Sequence, residues 1–208
     1  MSIHLDTPQK EPKKKLIGVY LGSFNPIHMG HISVVERTLA EGFVDEVWVM
    51  VSPENPLKER ETLAPFADRV EMAELVFQDN PRITVSVFES ALPKPSYTID
   101  TMRALHKEYT DTQFCLIVGS DIIHELPKWK EYKALLEDVP FILFERGGVP
   151  LSIPTDLPIR VVTSVHQGIT LSSTHIRECL DSGVSLEGLV PDTVVDYIKK
   201  HQLYGVSR

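Results

Sequence analysis

Two histidines in the first third of the chain stand where they could hold phosphate oxygens. His28 and His31 belong to the segment Gly22-Ser23-Phe24-Asn25-Pro26-Ile27-His28-Met29-Gly30-His31. A spacing of three places both on one face if a helix has begun there. The amino-terminal end of a helix carries unpaired backbone N–H groups and a partial positive charge, which attract phosphate. Imidazole N–H groups add directional donors, so the segment predicts a phosphate site.

The other residues of this segment favour the close approach of a ligand. Gly22 removes a side chain where the preceding apolar run ends, Pro26 stiffens the turn, and Gly30 lets backbone or ligand come near. For an isolated pair of histidines, capping or packing of the helix is the ordinary explanation. Two glycines and a proline beside the pair shift the interpretation to function.

A second segment combines hydroxyl groups with an arginine, in the order Leu171-Ser172-Ser173-Thr174-His175-Ile176-Arg177. Serine and threonine hydroxyls cap helix starts, and Arg177 lies one turn inside the predicted helix. Its guanidinium can reach phosphate oxygens with a planar fork of donors. Alone, such a pattern is usually only a helix cap, and its pairing with the first segment is what indicates function.

The elements that position these residues follow from the apolar pattern after Leu16. Short apolar runs alternate with segments of helical period, which predicts a parallel sheet with helices on both faces. The predicted strands are 16–21, 46–52, 83–88, 114–118, 141–144 and 160–162, and the predicted helices are 30–41, 66–78, 99–109, 130–136, 173–181 and 191–201. This is a Rossmann-like, doubly wound α/β fold, in which ligands bind beyond the carboxyl ends of the strands.

Length and composition limit the classes of protein. The 208 residues are enough for one substantial core, so we expect a mobile extension over 1–14 and a single domain over 15–208, with 146–158 as a surface excursion. A net charge of −8 argues against a broad surface for nucleic acid. The longest apolar runs are too short to span a membrane. No secretory pattern occurs, and the two cysteines lack metal or redox spacing, so we expect reduced thiols in the cytoplasm.

The two chemical segments resemble motifs of one family. The first matches G-x-F-x-P-x-H-x-G-H of the nucleotidyltransferases that include nicotinate mononucleotide adenylyltransferases, phosphopantetheine adenylyltransferases and cytidylyltransferases. The second is similar to that family's I-S-S-T-x-I-R, with Leu171 in place of the isoleucine. Three further segments resemble the pyridine-nucleotide branch: Ser96-Tyr97-Thr98-Ile99-Asp100-Thr101, Gly119-Ser120-Asp121 and Leu126-Pro127-Lys128-Trp129.

The resemblance implies three groups of site residues. The catalytic residues would be His28, His31 and Arg177. The residues that bind ATP would be Gly22, Ser23, Phe24, Gly30, Gly119, Asp121, Ser172, Ser173 and Thr174. The residues that bind the acceptor would be Asn25, Lys58, Thr98, Asp100 and Trp129. Four of them also have ordinary explanations, since Asp121 could be a cap, Thr98 a helix start, Trp129 a core residue and Lys58 a solvated lysine.

The resemblance also implies a reaction, in which the adenylyl group of ATP passes to nicotinate mononucleotide with release of pyrophosphate, in NAD biosynthesis. Mg²⁺ would be held mainly by the ATP phosphates and water, with no dedicated metal site in the protein. The implied partners are ATP and a pyridine mononucleotide, without nucleic acid or membrane. A homo-oligomer is compatible with the sequence.

Three alternatives stay open. No side chain decides between nicotinate and nicotinamide mononucleotide, and Asn25 stands where many bacterial relatives have aspartate. Transfer to phosphopantetheine would leave the segments around Thr98 and Trp129 without a role. A non-catalytic module that only binds adenylates would bind ATP without releasing pyrophosphate.

Overall fold

Six parallel strands form one sheet in the computed structural model, which describes residues 14–53, 63–146, 161–169 and 171–206. The strands are β1 (Lys15–Gly22), β2 (Glu46–Val51), β3 (Ile83–Ser86), β4 (Thr112–Gly119), β5 (Phe141–Arg146) and β6 (Val161–Ile169). The helices are α1 (Met29–Ala40), α2 (Phe66–Phe77), α3 (Thr98–Glu108), α4 (Tyr132–Asp138), α5 (Ser173–Asp181) and α6 (Asp192–His201). Short 3₁₀ turns cover Phe88–Ala91, Ser120–His124, Leu126–Lys128 and Leu203–Gly205.

The strand order is β3-β2-β1-β4-β5-β6, and each neighbouring pair is parallel. Consecutive strands run outward from β1 in one direction up to β3, and the chain then returns to place β4 on the other side of β1. The order therefore reverses between β1 and β4. Beyond the carboxyl ends of these two strands lies the crevice in which doubly wound sheets bind ligands.

Helices cover both faces of the sheet, which confirms the predicted fold class. Buried residues of α1, α2, α5 and α6 form one apolar cluster, and those of α3 and α4 form the other. Strand β4 shows why both faces are filled, because Cys115 and Ile117 enter the first cluster while Leu116 and Val118 enter the second. Alternation of this kind produces a continuous apolar run when both faces are buried.

Some predicted boundaries were wrong. Strand β3 ends at Ser86 and not at Phe88, because Val87 leaves the extended region (φ −104°, ψ 16°) and the next residue begins a 3₁₀ turn. Helix α4 begins at Tyr132 and not at Lys130, because the N-cap Glu131 is left-handed (φ 48°). Residues 120–124, which lie outside the predicted strands and helices, form a 3₁₀ helix. Pro191, predicted in the first turn of α6, is its N-cap.

Several predictions fall outside the described residues. These are most of the extension over 1–14, nearly all of the excursion over 146–158, and Lys58. The single domain over 15–208 stays a prediction. In the described part of the chain, no helix has the length and apolar character needed to cross a bilayer.

Candidate active site

The two histidines lie at the start of α1, beyond the carboxyl end of β1. His28 is the N-cap residue and is only 2% exposed. Its ring stacks on that of His31, with centroids 3.7 Å apart and an angle of 23° between the planes. The backbone N–H of His28 donates to Nδ1 of His31 at 3.3 Å. A neutral His31 therefore carries its proton on Nε2.

This geometry combines the two interpretations of the histidine pair. His31 completes the cap of its own helix, as the ordinary explanation held. The same hydrogen bond selects the tautomer of His31 and fixes the orientation of its ring. The His31 side chain thus caps the helix and at the same time has a defined tautomer and orientation.

Phe24 packs against the ring of His31. It has a positive φ of 45°, is 2% exposed, and meets the His31 ring edge to face at 4.9 Å between centroids. A Cβ on Gly22 would lie 2.9 Å from the tip of the Phe24 ring, closer than carbon atoms can approach. Glycine at position 22 is thus required by Phe24. Gly22 and Phe24 were both predicted to bind ATP. In the structure they pack within the segment 22–31, Gly22 against Phe24 and Phe24 against His31.

The second segment begins α5 and is tied directly to the first. Ser172 is the N-cap, and its Oγ accepts from the backbone N–H of His175 at 3.2 Å, which confirms the predicted cap. Ser173 Oγ donates to the carbonyl of Pro26 at 3.0 Å, across 147 residues of sequence. Arg177 Nη1 donates to the carbonyl of Asn25 at 2.8 Å, across 152 residues. The structure thus joins the two motifs into one site.

Arg177 has further donors beyond this link. Its Nη2 bonds to Thr174 Oγ1 at 3.2 Å. A guanidinium has five N–H groups, and the bonds to described residues use two of them. The side chain is half-buried, so its position is held while part of it faces solvent. This suits a residue that would contact an anionic ligand.

The end of β4 lies beside the end of β1, since the two strands pair in parallel. Gly119 ends β4, Ser120 is 1% exposed, and Asp121 is half-buried in the following 3₁₀ turn. Gly30 is buried one residue inside α1. The predicted ATP-binding residues of both strands therefore gather at one edge of the sheet, as expected for this strand order.

The predicted acceptor residues divide into two sets. Asn25 is 2% exposed, and its Oδ1 accepts from the backbone N–H of Ala64 at 3.0 Å and from the Tyr204 hydroxyl at 2.8 Å. It therefore anchors the loop around it. Thr98 and Trp129 lie on the other face of the sheet, where both are half-buried and Trp129 packs against the second apolar cluster.

Asp100 has a protein partner in this structure. Its Oδ2 lies 2.8 Å from Lys130 Nζ, and each side chain is 41% exposed. The pair lines an open, largely apolar groove together with the residues around Tyr97. We call residues 22–31 and 172–177 the α1/α5 side of the crevice, and Thr98, Asp100 and Trp129 the α3 side.

The sequence interpretation missed two buried polar residues, Arg69 and Glu89, and the half-buried Tyr204. Arg69 is 1% exposed and donates to four backbone carbonyls, Glu89 is 4% exposed and accepts two hydroxyl hydrogen bonds, and Tyr204 donates to Asn25. Burial lowers the pKa of the Arg69 guanidinium and raises the pKa of the Tyr204 hydroxyl. Tyr204 therefore stays protonated at neutral pH and able to donate. The sequence held one signal for the burial of Arg69. It lies four residues before the buried Ala73, so both residues are on the inner face of α2.

A resident metal has few candidate ligands at this site. Among the residues that the structure describes, no group of three or more His, Cys, Asp or Glu side chains is arranged to hold an ion. Among the polar side chains that the two motifs contribute, His28, His31, Ser173, Thr174 and Arg177 carry imidazole, hydroxyl and guanidinium groups. Donors of this kind bind phosphate oxygens. A metal ion at this site would be bound through the phosphates of the ligand.

Comparison with known proteins agrees with this geometry. The cytidylyltransferase-like family model matches residues 19–179. A probable nicotinate-nucleotide adenylyltransferase of Synechococcus sp. (strain JA-3-3Ab) is 36% identical, over 93% of this chain and 97% of its own. The nicotinate-nucleotide adenylyltransferase of Bacillus subtilis (strain 168) is 35% identical, over 91% of this chain and 98% of its own.

A solved structure is similar in fold. It is the Plasmodium falciparum nicotinic acid mononucleotide adenylyltransferase complexed with NaAD, with a TM-score of 0.76 and 22% identity over 93% of this chain and 98% of that one. At this identity the similarity supports the fold alone. The family model and the relatives, which cover nearly the whole chain, show that the protein belongs to the cytidylyltransferase-like family and to the nicotinate-nucleotide adenylyltransferases.

Proposed function

We propose that this protein transfers the adenylyl group of ATP to nicotinate mononucleotide, which gives nicotinate adenine dinucleotide and pyrophosphate in NAD biosynthesis. One observation carries the proposal: the hydrogen bonds from Ser173 and Arg177 to the loop of His28 bring two phosphate motifs into one site. That site lies at the strand edge where doubly wound folds bind nucleotides.

In the proposed reaction an oxygen of the acceptor's 5′-phosphate attacks the α-phosphorus of ATP. A new P–O–P linkage forms, the bond from the α-phosphorus to the bridging oxygen breaks, and the electron pair leaves with pyrophosphate. The acceptor phosphate is already negative at neutral pH, so no protein nucleophile or base is needed. Catalysis consists of alignment and of stabilising charge on the phosphate oxygens.

The roles of the side chains follow from their geometry. His31 offers Nε2–H to an oxygen of the α-phosphate, because its Nδ1 is held by the His28 backbone. His28 adds a second ring at the same helix start. Arg177 reaches toward the departing phosphates while its bond to Asn25 holds it against the loop. On the other face, the flat ring of Trp129 suits stacking with the pyridine ring of the acceptor.

Mg²⁺ would enter with ATP, held by phosphate oxygens and water, and would supply positive charge that offsets the charge of the leaving pyrophosphate.

The cytoplasm is the proposed location of the protein. Both cysteines are free thiols, and burial raises the pKa of Cys115 to about 12, which keeps it protonated and unreactive. A reduced state of this kind suits the cytosol. The homo-oligomer stays a prediction.

The test supplies ATP and Mg²⁺ with nicotinate mononucleotide, nicotinamide mononucleotide or phosphopantetheine and measures pyrophosphate. We expect the highest kcat/KM with nicotinate mononucleotide. A higher value with the nicotinamide form would reassign the acceptor but retain the chemistry. ATP binding without pyrophosphate from any acceptor would instead identify a binding module. A reaction without acceptor corrects for ATP hydrolysis.

A further inference from the structure

A buried arginine joins three separate segments behind the site. Arg69, on the first turn of α2, donates from Nη1 to the carbonyls of Ser23 (2.7 Å) and Ser52 (2.8 Å). Its Nη2 donates to the carbonyl of Pro53 at 2.9 Å, and its Nε to that of Ala64 at 3.0 Å. One side chain thus ties the loop after β1, the end of β2 and the residues before α2.

The same set of hydrogen bonds continues to the α3 side through a buried carboxylate. The hydroxyl of Ser52 donates to Glu89 Oε2 at 2.7 Å, and the hydroxyl of Thr101 donates to Glu89 Oε1 at 2.7 Å. Thr101 lies on α3, three residues after Thr98. A continuous series of bonds therefore runs from Ser23 to α3 by way of Arg69, Ser52 and Glu89. We call it the Arg69 network.

An arginine at position 69 needs an explanation, because packing alone would not require a charged side chain there. A guanidinium buried to 1% exposure loses its hydration, and an apolar side chain of similar size would avoid this cost. What arginine adds is a rigid planar fork that holds several acceptors at fixed relative positions. All four described bonds go to backbone carbonyls, so the fork sets the position of main chain and not of another side chain.

We infer that Arg69 is a positioning residue for adenylyl transfer, which sets the separation between the two substrates through the Arg69 network. The inference rests on the proposed function. The α1/α5 side does not depend on Arg69 alone, because Ser173, Arg177 and the bond from the Met29 N–H to the Leu189 carbonyl hold it independently. Loss of Arg69 should therefore disturb alignment with the acceptor more than the binding of ATP.

The test compares Arg69→Lys with the wild type, using Arg82→Lys as a matched control because the Arg82 side chain is exposed. Lysine keeps the charge but cannot hold four carbonyls at once. We expect kcat to fall by about 10- to 100-fold and the acceptor KM to rise, because a displacement of about 1 Å costs about 100-fold in rate. The Kd for ATP, measured by calorimetry without acceptor, should stay within about threefold. Arg82→Lys should match the wild type.

The outcomes separate the two proposals. No pyrophosphate from the wild type would overturn both. Normal turnover in a folded Arg69→Lys, or a loss of ATP affinity as large as the loss of kcat, would overturn the positioning role alone. If Arg69→Lys does not fold, Thr101→Val decides by the same criterion, since it removes only the last hydroxyl of the Arg69 network. The positioning role then requires a smaller loss of kcat with unchanged ATP affinity, and unchanged kcat contradicts it.

Discussion

The α1/α5 side and the α3 side of the crevice differ in how their polar groups are held. On the α1/α5 side, Asn25 and His28 are each 2% exposed, and side chains bond to backbone carbonyls across more than a hundred residues. On the α3 side, Asp100 and Lys130 form an ion pair with each side chain 41% exposed. Buried hydrogen bonds fix geometry, whereas an exposed ion pair restrains it weakly. We therefore expect changes on the first side to affect kcat and changes on the second to affect the acceptor KM.

The largest effect should come from His31→Ala. It removes the proposed donor to the α-phosphate, and loss of one such donor typically costs about 100- to 1,000-fold in kcat. The measurement is steady-state kcat with saturating substrates, together with a thermal melt to show that the variant is folded. His106→Ala is the control, because this histidine is exposed on α3. A kcat close to that of the wild type in folded His31→Ala would contradict the role.

A smaller effect, in a different parameter, should come from Trp129→Ala. Stacking of an aromatic side chain on a base contributes about 1–3 kcal/mol, so the KM for the acceptor should rise by about 10-fold while that for ATP stays the same. Trp129→Phe keeps a flat ring and should lose less. Equal increases in both KM values would show that Trp129 acts through the packing of the second apolar cluster and not by stacking.

The smallest effect should come from the exposed pair. Asp100→Asn and Lys130→Met each break the same ion pair, and neither should change the Tm appreciably. If Asp100 also contacts the acceptor, only Asp100→Asn should raise the acceptor KM, by a few-fold. Identical KM values in the two variants would remove Asp100 from the acceptor site and leave it as a surface residue.

Much of the fold and part of the site could be predicted because their signals are local. Apolar runs alternating with helical periods predicted six strands and six helices, and α5 begins and ends at the predicted residues. The cap at Ser172 and the histidine pair at the start of α1 are also local, since each depends on residues within one helical turn. Boundaries failed where one residue leaves its region of φ and ψ, as at Val87 and Glu131.

The α/β class, the two motifs and the family could be recognised from the sequence, because each of them depends on residues that are close together in the chain. The fold was needed to show that β4 lies beside β1, that Arg177 donates to the carbonyl of Asn25, and that Arg69 and Glu89 are buried. These features could not be predicted, because a hydrogen bond between residues far apart in the chain leaves no periodic pattern in either segment. From sequence alone, a charged side chain on a helix is predicted to be exposed to solvent, and only the fold shows that it is buried among acceptors.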